Sequence, residues 1–324
     1  MRVFLTGGTG FIGAHVARKL RERGDDVVAL ARSPEKAAAL RELGCEVVEG
    51  DLSDGDAIRR GLEGAGAAVH GAAIYKVGIP KSDRPAMWAA NVEGTEKVLD
   101  AAIEAGVPRI VYVSTVNVFG NTGGKVVDEG YERDESKGFL SYYDETKYRS
   151  HQIARDRIAK GAPIVIVQPG GVYGPNDHSE VGKMVEEASK GKLRMKAFPD
   201  LGLNLVHVED VADGVLLALD KGRLGESYVL GGEISTMGDA VDKAAVMSGQ
   251  KPTKLTLPPL LAKLSAPLGP VVGPMMGFPP NLSEAISASD GVTYLAKDDK
   301  ARSELGYTPR DLDTGLKQTL AASG

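Results

Sequence analysis

The chain has 324 residues, about twice a typical domain, which allows one large α/β domain or two lobes sharing a chain. Its 39 Lys and Arg against 44 Asp and Glu leave a net charge of −5, so no basic surface favours nucleic acid as a partner. With 42% hydrophobic and 26% charged residues, no apolar run of membrane-spanning length, a single cysteine (Cys45) and no signal-like start, the chain reads as globular, without an intrachain disulfide or multi-cysteine metal site, and cytoplasmic.

From residue 2 to about residue 168, short apolar runs alternate with helical patterns, the rhythm of parallel strands joined by helical crossovers. Strands are predicted at Val3–Thr6, Val27–Ala31, Glu46–Glu49, Ala67–His70, Ile110–Ser114 and Ile164–Val167. Between the first strand and the first helix stands Thr6-Gly7-Gly8-Thr9-Gly10-Phe11-Ile12-Gly13. Glycines at 7, 10 and 13 permit a tight turn, close approach of a pyrophosphate to the backbone amides around Phe11 and Ile12, and close helix packing. Gly24 ends that helix, Ser33-Pro34 starts the next and Gly44 closes it.

The second strand should end on an acid if the dinucleotide is NAD; here it runs into Arg32-Ser33, which suits the 2′-phosphate of NADP. The plainer alternative is a solvated arginine at a helix start. Asp51 and Leu52, after the third strand, are candidates to bracket the adenine, unless Asp51 simply caps the following turn. A long helix is expected from about Pro85 to Ala105, with Tyr75 in the loop before it a candidate for the substrate entrance. The fifth strand ends in hydroxyls, Ser114-Thr115-Val116-Asn117, at the sheet edge where doubly wound folds bind ligands. In Tyr143-Asp144-Glu145-Thr146-Lys147 the i, i+4 spacing puts phenol and ammonium on one helix face, where the cation favours the phenolate.

Past Gln168 the rhythm breaks into a Pro-Gly loop, a helix at Ser179–Lys190, a short strand at Leu205–Val208, a helix at Glu209–Asp220 and a strand at Ser227–Leu230. Leu257–Pro280 holds seven of the seventeen prolines among apolar residues and reads as a lid or substrate wall, or else as a packing segment or subunit contact. The expected fold is α/β, a doubly wound parallel Rossmann sheet over residues 1–168 with 204–231 returning to it. A smaller discontinuous substrate lobe comprises 169–203 and 232–324. His70, His151, His178 and His207 show no metal-ligand spacing, and His70 and His207 read as strand-end structural residues.

The glycine loop, hydroxyl strand and Tyr-Lys pair, in this order, resemble the extended short-chain dehydrogenase/reductase family. Further matches are His70-Gly71-Ala72-Ala73, Asn91-Val92-Glu93-Gly94-Thr95, Pro169 to Pro175, His207 to Ala212 and Leu305 to Pro309. The resemblance implies catalytic roles for Thr115, Tyr143 and Lys147. It also implies cofactor contacts at Gly7, Gly10, Phe11, Ile12, Gly13, Arg32, Ser33, Asp51, Leu52, Ala72, Ala73, Asn91, Pro169 and Val172, with Asn117 and Gly170 joining Tyr75 toward substrate. Within the family the pattern most resembles the dihydroflavonol-reductase-like branch. Leu203-Asn204 stands where the sugar-nucleotide branch carries an Arg-Asp pair, and the stretch from 251 to 295 offers only Lys251, Lys254 and Lys263 as cations. The expectation is therefore an NADP-dependent reductase of a mainly apolar ketone or aldehyde, its partners a small carbonyl or alcohol and a second copy in a homodimer built from the Pro85 and Tyr143 helices. NAD as cofactor, a nucleotide-sugar epimerase or dehydratase, and an NADPH-reading sensor are the alternatives.

Overall fold

In the computed structural model of the chain, residues 1–258 and 279–322 are described. The apolar strands are buried along nearly their whole length, as a parallel sheet covered on both faces requires. They are β1 (Arg2–Thr6), β2 (Asp26–Ala31), β3 (Glu46–Glu49), β4 (Ala67–His70), β5 (Ile110–Val113), β6 (Ile164–Pro169) and, later in the chain, β9 (Ser227–Leu230). These seven form one sheet in the order β3-β2-β1-β4-β5-β6-β9, and every pairing in it is parallel. The order reverses between β1 and β4, whose register sets Val3 opposite Ala67, so the carboxyl ends of these two strands border the crevice where such sheets take ligands.

Alternation along each strand divides the core. Val3 and Leu5 pack with Val16 and Leu20 of α1 (Phe11–Glu22) and Val215 of α8 (Val208–Lys221). Phe4 points the other way, into a core with Ile58 of α3 (Gly55–Leu62), Leu99 of α5 (Gly94–Glu104) and Ala154 of α6 (Tyr142–Ala159). Ser33 caps α2 (Pro34–Glu42), and the backbone at Gly24, Gly44 and Gly106 turns to positive φ after each preceding helix. α8 is held against α1 by Glu209, which meets His15, Arg18 and Lys19.

The single helix expected from about Pro85 to Ala105 is instead α4 (Arg84–Trp88), a π-helical turn (Ala89–Glu93) and α5. The wider turn carries Asn91 inward, where its side chain bonds Ile74 and Thr146. Directly after it, a Cβ on Gly94 would lie 2.8 Å from Leu52, so the helix approaches that loop too closely for a side chain.

A second, four-stranded sheet is centred on β8 (Gly202–His207), with antiparallel β10 (Glu233–Thr236) on one side and parallel β7 (Gly171–Tyr173) and β11 (Thr293–Tyr294) on the other. The strand expected at Leu205–Val208 thus starts three residues earlier and yields at Val208 to α8, which the His207 imidazole caps. α7 (Glu180–Ser189), α9 (Met237–Met247), α10 (Leu282–Ser287) and α11 (Leu312–Ala322) complete this half, whose core includes Leu203, Leu205, Val241, Tyr294 and Leu312. The proline-rich segment singled out at Leu257–Pro280 falls largely outside the described residues. Among the described residues no helix is long and apolar enough to cross a membrane, and no cluster of His, Cys, Asp and Glu could hold a metal.

Candidate active site

The turn from β1 into α1 is shaped by what it must pass. Gly7 has φ of +81°, and a Cβ there would fall 2.7 Å from the Ala72 nitrogen; a Cβ on Gly13 would fall 2.0 Å from the Gly7 carbonyl oxygen. Thr6 closes the same gap, its Oγ1 accepting from the Ala72 N–H at 3.3 Å and meeting His70 Nδ1 at 2.7 Å. Gly10 occupies the cap position of α1 with no side chain to satisfy the first-turn amides. Bare N–H groups at the positive end of a helix dipole, at Phe11, Ile12 and Gly13, are the donor set a diphosphate requires. The loop thus fits the group that the sequence motif implies.

The end of β2 is less open than expected. Ser33 Oγ accepts from the Lys36 N–H and donates to Glu35 at 2.5 Å, so that hydroxyl is already engaged. Arg32 is exposed, and its charge helps hold the Asp51 carboxyl below its usual range, after the larger effect of hydrogen bonds from Ser53. Asp51 Oδ1 accepts both the Ser53 N–H at 2.8 Å and its hydroxyl at 2.5 Å, the turn-capping alternative raised from sequence. Leu52 is half-buried against the wall beneath it.

At the end of β5 the strand alternation separates the two hydroxyls. Ser114 turns to His151, with 2.9 Å between Oγ and Nδ1. Thr115 turns to the other side, toward Tyr143, whose phenol it influences, and bonds Asn117. Ser141 caps α6, accepting the Asp144 N–H at 3.0 Å, and so fixes where Tyr143 and Lys147 project. Lys147 is only 4% exposed. Its Nζ donates to the Val113 carbonyl at 3.0 Å and to the Tyr112 hydroxyl at 3.3 Å.

Burial, then Tyr75, Asp144 and Tyr112, push the Tyr143 phenol well above its ordinary range. In the protein alone burial thus favours the neutral phenol; the expectation of a phenolate concerned Lys147 acting together with an oxidised nicotinamide. The Tyr75 ring stands edge-on to it at 4.8 Å and is itself 58% exposed, at the mouth of the site.

Asn91 sits close by as expected, but its amide is taken: Oδ1 accepts the Ile74 N–H at 2.7 Å, and Nδ2 donates to the Ile74 carbonyl and Thr146 Oγ1, each at 3.0 Å. Asn91 thus lies against the backbone that follows Ala72 and Ala73 and ties it to α6. Pro169 ends β6 and Val172 pairs with Val206 of β8. Gly170 has a packing reason to be glycine, since a Cβ would fall 2.2 Å from the Asn204 carbonyl oxygen. A cavity of about 780 Å³ opens along another face of α6, at Tyr148, His151 and Arg155, and includes none of Thr115, Tyr143 or Lys147.

Sequence reasoning missed Asp144 and Glu284. Asp144 is 1% exposed and burial raises its carboxyl to about 6. Its Oδ1 accepts from Asn117 Nδ2 at 3.0 Å and its Oδ2 from Tyr294 at 3.2 Å. Glu284 accepts the backbone N–H of Tyr142 at 3.0 Å and that of Gly78 at 3.3 Å, and pairs with Arg84 at 3.1 Å. Asp144 alone left a local signal, an acid three residues after a capping serine.

The buried ionisable groups give a pH dependence of stability. Burial, then Lys147, lowers His70 from 6.5 to about 3, and burial, then Arg155 and Lys147, does the same to His151. The unfolded chain protonates both imidazoles below their ordinary pKa while the folded chain resists, so their contribution is complete above pH 6.5 and is lost as pH falls toward 3. Asp144, raised from 3.8 to about 6, acts oppositely across its own window. Burial, then Arg310, also lowers His207, to about 4. Three imidazoles outweigh one carboxyl, so these groups should raise the unfolding free energy by about 2.7 kcal/mol per pH unit between about pH 4 and 6. Urea melts across that range should show the rise, and His151→Gln should reduce it by about half; a fall across the window contradicts the assignment.

Residues 3–231 match the NAD dependent epimerase/dehydratase family. Similar proteins include "Putative dihydroflavonol 4-reductase" of Synechocystis sp., 34% identical over 98% of this chain and 92% of that protein. "Sterol demethylase protein B" of Methylococcus capsulatus is 33% identical over 81% of this chain and 79% of that protein. The solved structure of gox2253 is 35% identical, with a TM-score of 0.83 over 99% of this chain and 97% of that one. A match running from β1 through β9, over a glycine turn built for a diphosphate, means that this chain belongs to the NAD dependent epimerase/dehydratase family.

Proposed function

We propose that the protein is an NADP-dependent oxidoreductase that reduces a ketone or aldehyde on a mainly apolar small molecule. The observation that carries this reading is the buried trio at the end of β5: a neutral phenol, a hydroxyl beside it and an ammonium fixed to the strand end. Residues 1–168 with 204–231 serve the cofactor, and 169–203 with 232–324 form the substrate half. Gly7, Gly10 and Gly13 let the diphosphate approach the amides of Phe11 and Ile12; Arg32 meets the 2′-phosphate; Asp51, Leu52, Ala72 and Ala73 line the nucleotide's path; Pro169 and Val172 border the far end.

When bound, the nicotinamide supplies the hydride. Tyr143 gives the carbonyl oxygen a proton, a transfer for which a phenol held neutral until the moment of reaction is suited. Thr115 lies beside the phenol and orients it. Lys147, anchored on Val113, presents its cation beside the tyrosine, where it stabilises the phenolate left after transfer. Tyr75 and Gly170 flank the entrance.

Two observations support an apolar substrate. Where the resemblance sets the Arg-Asp pair of the sugar-nucleotide branch, this chain offers no cation: Leu203 is buried in the core and Asn204 spends its amide on the backbone of Ala296. The name of the Methylococcus relative concerns sterols, and that of the Synechocystis relative a dihydroflavonol. The family description itself keeps the epimerase or dehydratase reading as the second one.

Tyr143→Phe should keep the fold and NADPH binding and lose turnover, because it removes one hydroxyl and preserves the ring. Turnover and NADPH fluorescence titration, measured on the same preparation, check this; a variant retaining most of its rate on the best substrate contradicts the assignment of the proton donor. With Ser33 engaged, selectivity for the 2′-phosphate rests on Arg32. Arg32→Ala should weaken NADPH binding by about tenfold to a hundredfold and leave NADH nearly unchanged. Calorimetric titration showing equal losses for both cofactors contradicts it.

A further inference from the structure

A chain of hydrogen bonds runs from a buried carboxylate to the active-site hydroxyl, and its direction is forced. An ionised carboxylate only accepts. Asp144 Oδ1 faces the side chain of Asn117 at 3.0 Å, so Asn117 must turn Nδ2 toward it. That leaves Asn117 Oδ1 facing Thr115 Oγ1 at 3.1 Å, and an amide oxygen also only accepts. The single proton of the Thr115 hydroxyl therefore goes to Asn117. One of the two Thr115 lone pairs is taken by the Asn117 backbone N–H at 3.2 Å. What remains toward Tyr143 is one lone pair.

We propose that Asp144 is a positioning residue that, through Asn117, turns the Thr115 hydroxyl so that it offers the active site an acceptor rather than a donor. This rests on the reading of Thr115 and Tyr143 as the reacting pair, and sharpens it. Thr115 accepts the phenol O–H of Tyr143 before reaction, and accepts the O–H of the alcohol once Tyr143 has protonated the substrate oxygen. The only group that donates to the carbonyl is then Tyr143 itself. Because Tyr294 of β11 donates to the other Asp144 oxygen, the substrate half is fastened to the same carboxylate.

The chain can be rewritten without changing its direction. Asn117→Asp places two carboxylates about as close as the present 3.0 Å contact; the pair resists full ionisation, so its effect is read at alkaline pH, where neither carboxyl keeps a proton to donate. Adding Asp144→Asn restores a donor toward residue 117 while residue 117 still accepts from Thr115. With NADPH and 1-phenyl-1,2-propanedione as the probe, Asn117→Asp should lower kcat by about tenfold or more. The double variant should return to within about threefold of the parent, with NADPH affinity unchanged throughout, and in a Thr115→Ala background both changes should become silent. A double variant no better than Asn117→Asp, or an Asn117→Asp effect that persists in full without Thr115, overturns the proposal. If the parent protein reduces neither this dione nor any other ketone, it is the functional reading that fails. The chain is then read from unfolding free energy, which Asn117→Asp should lower and the double variant regain; failure to regain it overturns the proposal independently.

Discussion

An ammonium group enclosed by the protein, with a carbonyl and a phenol but, among the described residues, no carboxylate as hydrogen-bond partners, is the constraint around which this site is organised. Lys147 is buried at the end of β5, and its bonds to Val113 and Tyr112 replace water without cancelling its charge. An uncompensated buried cation is costly, so neighbouring groups adjust. His70 and His151 stay neutral partly on its account. His70 is then free to act as a plain hydrogen-bonding strut, joining Thr6 to Thr95 across the sheet and stacking on Tyr112. In the proposed mechanism that charge stands beside a phenol that passes through an anionic state.

Fixing that lysine depends on α6, and α6 is held from three directions. Asn91, in its π-helical turn, bonds Thr146. Glu284, from α10, accepts the Tyr142 backbone N–H and the Gly78 N–H together, joining the helix start to the loop below β4. Tyr294, from β11, reaches Asp144. Two of these ties come from α10 and β11, so the helix carrying Tyr143 and Lys147 also joins the C-terminal part of the chain to the large sheet. Catalytic geometry held by such packed supports is the form in which proximity contributes to rate.

The large sheet was legible because its chemistry is local. Runs such as Val27–Ala31 and Ile164–Val167 are buried on both faces and leave an unbroken apolar trace, and their observed bounds differ from the reading by a residue or two. The smaller sheet was not: β10 is a polar four-residue strand, β11 has two residues, and a buried Asn204 interrupts the apolar pattern of β8. The same division runs through the site. The spacing of Tyr143 and Lys147 lies within one turn of helix and could be read directly. Asp144 gains its meaning from Asn117, 27 positions away, and Tyr294, 150 away, and Glu284 from Tyr142, 142 away. The π-helical turn that aims Asn91 at Ile74 and Thr146 likewise leaves no mark in the periodicity.

The central claim is that this member of the NAD dependent epimerase/dehydratase family uses its trio on a free, apolar carbonyl compound rather than on a diphosphate-linked sugar. Burying a diphosphate without paired cations costs several kcal/mol, whereas an aryl or alicyclic ring gains about 25 cal/mol per Å² removed from water. The most direct measurement is to incubate the protein with NADPH and titrate aryl and alicyclic ketones in one series and UDP and UDP-glucose in another, following NADPH absorbance and heat of binding together. The account predicts that ketones consume NADPH and that UDP-glucose neither binds nor reacts. Tight binding of UDP-glucose with every ketone silent would contradict it.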